Sequence, residues 1–373
     1  MSNDVLNAPF RADIVGSFLR PAPLKEARAL REKGAISARE LKQVEDKCIA
    51  QLIEKQKTSG LQVITDGEFR RSYWHLDFMW GFGGVEHIEL DHGYFFHGEE
   101  TTHGSLALSG KITGENHPFV EHFKYVKQFE TEGVVARQTI PAPAQFYAEL
   151  FREDNGKNTN AVYPDHEELI QDIARAYRTV IRDLHATGCR NIQFDDCTWG
   201  MVCDSKFWQS MAGAGYNVEA LKQTYLRVNN LAFENHPEGV VINTHVCRGN
   251  YHSTWACQGA YDSVAETLFV HENVSAFYLE YDDERSGGFE PLAHVPDDKK
   301  VVLGLITTKS PVLEDKQTVI NRIHQAARYI PLERLCLSPQ CGFASCEIGN
   351  KLTEEEQWAK IRLVKEIADE VWK

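Results

Sequence analysis

The sequence predicts an α/β protein, a TIM (β/α)8 barrel with a long aromatic-rich insertion after strand two. Three observations carry this. Eight short apolar runs each end in polar or turn residues. Amphipathic segments of helical length separate most of them. No G-x-G-x-x-G follows the first run, which counts against the runner-up, a doubly wound open sheet with a dinucleotide site.

The runs occupy residues 13–17, 61–67, 133–140, 191–195, 240–245, 276–280, 300–305 and 335–338. They are nearly continuous in apolar residues, as strands buried on both faces of a parallel sheet must be. Between them, Ser37 is placed to cap a helix running through Thr58. Glu40 three residues on completes a capping box, and Gly60 ends the helix. A long amphipathic helix covers 165–187 and closes at Gly188. Further helices are expected at 219–235, 262–270, 313–329 and 353–372. The stretch from about 70 to 131 is long for one connection and rich in aromatics and histidine, among them Tyr73, Trp74, His75, Trp80, Phe95 and Phe96. It reads as an insertion over one mouth of the barrel, either a simple cap or a substrate lid.

The 373 residues are assigned to one domain, 1–373. A composition of 42% hydrophobic and 25% charged residues suits a globular protein. The net charge of -14 excludes nucleic acid as a default partner, because phosphate recognition needs clustered Lys and Arg. No apolar run is long enough to cross a bilayer, and the N-terminus lacks the basic start and apolar core of a signal peptide. A cytoplasmic protein is expected, so the nine cysteines are not read as disulfides. Cys48, Cys189 and Cys336 are expected to be buried small apolar residues. The composition is compatible with a homo-oligomer.

Polar residues gather at the C-terminal ends of the predicted strands: Ser17, Asp66 and Glu68, Asp195 and Asp196, His245 and Cys247, Glu280, Lys309, and Cys341. In a barrel these ends meet at one face. His245 and Cys247, two apart in an extended run, share a side of the strand and can converge on one ion. Imidazole with thiolate favours zinc over magnesium or calcium. With Glu280 and Cys341 they make a tetrahedral zinc set. Each residue also has a plainer reading: a hydrogen-bonded core histidine, a Glu280–Arg285 pair, a small loop cysteine.

The ordered pieces Ile14-Val15-Gly16-Ser17-Phe18, Asp66-Gly67-Glu68-Phe69-Arg70, Gln193-Phe194-Asp195-Asp196, His245-Val246-Cys247, Leu279-Glu280 and Pro339-Gln340-Cys341-Gly342 resemble the catalytic barrel of cobalamin-independent methionine synthase. The likeness is strongest to its short single-barrel relatives and covers most of the chain. It implies zinc held by His245, Cys247, Glu280 and Cys341. It also implies that the amino-acid part of homocysteine is gripped by Ser17, Glu68 and Asp195. The reaction implied is methyl transfer to the homocysteine thiol, giving methionine, with 5-methyltetrahydrofolate or another molecule as donor. Glu68 and Asp195 could instead pair with Arg70 or Arg71.

Three features depart from that family. There is room for one barrel where the full-length enzyme has two. The stretch Thr139-Ile140-Pro141-Ala142-Pro143-Ala144-Gln145-Phe146-Tyr147 lacks the tryptophan expected after strand three; Trp74, Trp80 or Trp199 are the substitutes. The histidine proton donor is replaced in Thr308-Lys309-Ser310-Pro311, making Lys309 the candidate catalytic residue. Single barrels of this kind also resemble epoxyalkane:coenzyme M transferase, which alkylates another thiol. The acidic Glu68 and Asp195 favour an amino-acid thiol over a sulfonate. A non-catalytic zinc-storing barrel is the remaining class.

Overall fold

The computed structural model describes residues 7–373. Its strands in chain order are β1 (Val63–Ile64), β2 (Gly83–Glu89), β3 (Phe95–Phe96), β4 (Glu99–Glu100), β5 (Gly104–Thr113), β6 (Val135–Ala136), β7 (Gln138–Pro141), β8 (Asn191–Asp196), β9 (Val241–Val246), β10 (Ala276–Glu280), β11 (Lys300–Ile306) and β12 (Leu335–Pro339). Six of them form one parallel sheet in the order β12-β11-β10-β9-β8-β7. β1 pairs in parallel with β6, which leads directly into β7. At the opposite edge Ala12 bridges Leu337 in parallel, with Asp13 N donating to Leu337 O at 2.9 Å. The result is an α/β, TIM-barrel-like fold.

The predicted strands three to eight each hold strand structure. The first two are shorter than expected, and side chains explain why. At 13–17 no strand forms and pairing stops at the Ala12 bridge just before it; Asp13 instead accepts from Phe10 N at 2.8 Å and Ile14 N at 2.7 Å. At 61–67 the strand is Val63–Ile64. Gln56 then brackets Thr65, donating to its carbonyl at 2.9 Å and accepting from its N–H at 3.0 Å. A buried side-chain amide thus replaces a neighbouring strand there.

The helices follow their signals. Ser37 and Glu40 form the capping box of Ala38–Thr58, and Thr353 with Glu356 that of Glu354–Val371. Asp165 caps His166–Ala186, and Asn217 caps Val218–Phe233. The helix expected at 313–329 is Lys316–Ala326, starting where Asp315 accepts from Thr318 N. Cys48, Cys189 and Cys336 are buried and free. The segment between β1 and β6 folds as two antiparallel pairs, β2 with β5 and β3 with β4, flanked by helices Leu76–Met79 and Pro118–Lys127. Among the described residues no helix is long and apolar enough to cross a membrane.

One polar network crosses the core. Arg137, between β6 and β7, pairs with Asp13 at 2.8 Å; both side chains are fully buried. Tyr278 of β10 donates to Asp13 at 3.0 Å and accepts from Arg137 at 2.9 Å. Three distant segments are thereby fixed together. Removing one partner strands a buried charge, so Asp13→Ala should cost about 3–5 kcal/mol in urea unfolding. A loss below 1 kcal/mol would contradict this account.

Candidate metal centre

β9 carries His245 and Val246 to its C-terminal end, and the chain continues into Cys247. The Cys247 N–H is held by Asp196 O at 2.9 Å, which keeps the backbone extended past the strand. Cys341 follows β12 in the Gln340-Cys341-Gly342 turn. The ligand atoms of His245, Cys247 and Cys341 all lie within 4.8 Å of one another, and all three residues are buried. The two sulfurs are 3.9 Å apart, and Gly249 N donates to the Cys247 sulfur at 3.3 Å. The His245 ring is fixed at both nitrogens: Nδ1 lies 2.9 Å from Asp195 Oδ1 and Nε2 lies 2.9 Å from Gln340 O.

Electrostatics follow from this crowding. The Cys247 thiol is pushed well up by its hydrogen bond with Cys197, then by burial and the charge of Glu280. Cys341 is pushed well up by its hydrogen bond with Cys247 and by burial. Burial lowers His245, but the Asp195 hydrogen bond and the charges of Cys341, Asp195 and Glu280 overcome it, lifting the imidazole to about 9. Without a cation this is a protonated cluster. A divalent ion reverses that preference, because it stabilises thiolate and neutral imidazole.

Glu280 and Lys309 stand beside the trio and outside it. Glu280 Oε1 accepts from Arg248 N at 2.9 Å, while Oε2 is buried without a hydrogen bond and lies 3.9 Å from Lys309 Nζ. Arg285, the alternative partner of Glu280, instead binds Asp282 and Asp283.

A cavity of about 860 Å³ opens onto the cluster, lined by Ser17, Glu68, Asp195, His245, Cys247 and Cys341 among others. Glu68 sits in left-handed backbone at φ 64. Its Oε1 meets Thr139 Oγ1 at 3.2 Å and Arg71 at 3.3 Å, and its Oε2 is buried and unbonded. Burial raises Glu68 to about 7, Arg71 opposing and the charge of Asp195 adding. Arg71 is thus the partner of Glu68, whereas Arg70 pairs with Glu45 and Asp46. Asp195 is engaged with His245. Ser17 Oγ accepts from Ala344 N at 3.3 Å, in close contact with Gly342. Of the candidate tryptophans, Trp74 lines the cavity, Trp199 is wholly buried, and Trp80 stacks on His87. A second concavity of about 490 Å³, near Phe289 and Arg322, lies apart from the cluster.

Sequence reasoning missed Arg20, Gln340 and Cys197. Arg20 is buried and donates to the carbonyls of Phe18, Ala344, Glu68 and Arg71 at 2.6–3.1 Å, stitching three loops of the site together. Nothing in its sequence context distinguishes it. Cys197 had a signal, its place just after Asp195 and Asp196 at a strand end.

The family described as the cobalamin-independent synthase catalytic domain matches residues 10–370. The chain belongs to that family. A Bacillus subtilis (strain 168) relative, the uncharacterised protein YxjH, is 43% identical over 367 residues, 98% of this chain and 96% of its own. A Listeria monocytogenes structure, assigned provisionally to the vitamin-B12 independent methionine synthases, is 37% identical, with 99% of each chain covered and a TM-score of 0.78. A B12-independent methionine synthase from Shewanella sp. W3-18-1, solved with selenomethionine, shares the fold at 16% identity, with 98% of each chain covered and a TM-score of 0.71. Family membership makes the protein a methionine synthase-like methyltransferase.

The loop stitching is open to direct measurement. Arg20→Met takes the side-chain donor from four buried carbonyls; Glu68 O keeps the Arg71 N–H at 2.9 Å, and the other three lose a bond worth about 1–3 kcal/mol each. A loss of at least ~3 kcal/mol in urea unfolding is expected.

Proposed function

We propose that the protein is a zinc-dependent S-methyltransferase that methylates the thiol of homocysteine to give methionine. The observation that carries this reading is the buried His245–Cys247–Cys341 cluster at the wall of a large cavity that also holds Glu68 and Ser17. The donor set fits zinc: two sulfurs, one imidazole, and a buried carboxylate oxygen of Glu280 without a hydrogen bond. His245, Cys247, Cys341 and Glu280 would hold the ion. Zinc, when bound, keeps the substrate thiol deprotonated and nucleophilic.

The chain's own groups bind and orient. Glu68, and Asp195 alongside its bond to His245, receive the substrate ammonium. The backbone and hydroxyl of the Ser17 turn receive its carboxylate. The methyl carbon forms a bond to sulfur as its bond to the donor breaks, and the donor leaves with that electron pair. The barrel is taken as closed through eight strands, and the segment at about 70–131 as an insertion whose aromatics wall off the donor end. The donor is 5-methyltetrahydrofolate or another methylated molecule. Lys309 is turned towards Glu280 rather than the cavity, which argues against its serving as proton donor to a methyl donor bound there.

Metal analysis should find about one zinc per chain, lost in Cys247→Ser and in Cys341→Ser. Incubation with homocysteine and candidate donors should yield methionine. If homocysteine is inert with every donor while another thiol reacts, the reading fails.

A pH prediction follows from Glu68. Its raised value, about 7, means the carboxyl is protonated below that pH and cannot pair with an ammonium. Methionine carries the same ammonium and no titrating thiol. Its affinity, measured by calorimetry, should rise by up to about tenfold per pH unit below 7 and level off above it. Glu68→Gln should weaken binding and flatten that slope.

A further inference from the structure

Lys309 and Glu280 share an unusual environment. Their side chains are 9% and 0% exposed, the ammonium nitrogen and carboxylate Oε2 both lack a hydrogen bond, and they face each other at 3.9 Å. The loop bearing Lys309 is pinned to the turn bearing Cys341: Thr308 N donates to Gln340 Oε1 at 2.6 Å, and Thr308 Oγ1 to Gly342 O at 3.0 Å. Glu280 Oε1 is held by the N–H of Arg248, the residue after Cys247. The Lys309 charge also helps to hold the Asp282 carboxyl below its usual range, and Arg285 pairs with Asp282 at 3.0 Å.

We propose that Lys309 is a positioning residue for Glu280, the counter-ion that makes a resting place for this carboxylate off the His245–Cys247–Cys341 cluster and so frees a place there for substrate sulfur. The inference rests on the zinc and homocysteine reading above and deepens it. Its logic is charge. An ionised carboxylate left alone in a buried site costs several kcal/mol. When the substrate thiol enters as thiolate, its proton leaves to solvent and one anion replaces another beside the thiolates. The displaced Glu280 then needs a cation and a donor where it lands. Lys309 supplies the first and the Arg248 N–H the second. Lys309 thus acts through Glu280, without touching substrate.

The test uses the zinc-loaded full chain and two readouts besides turnover: zinc-edge X-ray absorption with and without homocysteine, and the rate of zinc release to a chelator. In the unmodified protein, homocysteine should replace one oxygen or nitrogen neighbour of zinc by sulfur. In Lys309→Met the light neighbour should stay, homocysteine affinity should fall on the order of tenfold, and zinc should leave more slowly, because Glu280 has nowhere else to go. Lys309→Arg should restore the exchange. In a Glu280→Gln background the same Lys309→Met change should alter neither readout, since an amide needs no counter-ion. Lys309→Gln gives the same directions if the methionine variant does not fold. Unaltered exchange and release in Lys309→Met, or an equal effect in both backgrounds, overturns the proposal. If zinc in the unmodified protein gains no sulfur from homocysteine, the functional reading itself falls. The release rates, which need no substrate, then still decide whether Lys309 governs Glu280.

Discussion

The structure depends on one electrostatic constraint, the burial of many anion-forming groups at the C-terminal ends of the parallel strands. Cys247, Cys341, Glu280, Asp195 and Glu68 all lie there, each less than a tenth exposed. An uncompensated buried charge costs several kcal/mol. Each group is therefore neutralised in its own way. Asp195 takes the His245 imidazole. Glu280 takes the Arg248 N–H and the Lys309 ammonium. Glu68 takes Arg71 and has a raised protonation range. The thiols stay protonated. These compensations are partial, for one oxygen each of Glu68 and Glu280 has no hydrogen bond. A site in this state draws in cations, whether a metal ion beside the sulfurs or an ammonium beside Glu68.

The parallel sheet makes the crowding geometrically feasible. Asp195 of β8 is in register with His245 of β9, and His245 with Tyr278 of β10, so the acid and the imidazole meet across one strand spacing. Farther along, Glu280 is in register with Gly304 of β11. A Cβ at Gly304 would lie 2.6 Å from the Cα of Gln340 and 2.8 Å from Leu279 O. Only glycine lets the turn after β12 come this close. That approach sets the Gln340 carbonyl against His245 and brings Cys341 to Cys247. At the other end of the core, the Asp13–Arg137–Tyr278 network holds the segments whose spacing would otherwise drift.

Much of this was legible in the sequence where one residue type or one period does one job. Apolar runs ending in polar residues located the strands, and Ser37–Glu40 located a helix start. The i, i+2 pair His245 and Cys247 with Cys341 named the cluster. Less legible was everything decided by competition between partners. That Gln56 would replace a strand at Thr65 depends on two segments meeting. That Asp195 would spend an oxygen on His245, and Glu280 would rest against Lys309, depends on distances no spacing encodes. Arg20 carries four carbonyl contacts and no motif, because an arginine's partners here are main-chain oxygens that every residue possesses.

The aromatic segment shows the same limit from the other side. Its composition suggested a cover over one mouth, but its contacts are set by a few polar and small residues. Glu99 pairs with His252 at 3.0 Å and Lys351 at 2.9 Å, and His97 N donates to Trp255 O at 3.3 Å. Phe96 packs on Tyr251, with ring centroids 5.4 Å apart. Gly249 lies two residues beyond Cys247 at φ 85, and a Cβ there would stand 2.6 Å from Ala256 and 3.0 Å from Phe96. The same glycine that gives its N–H to the Cys247 sulfur therefore leaves room for the hairpin of β3 and β4 to close on that loop. Gly249 thus touches both the wall of the cavity and the cluster, so a substitution there that moves the wall also disturbs the Cys247 sulfur.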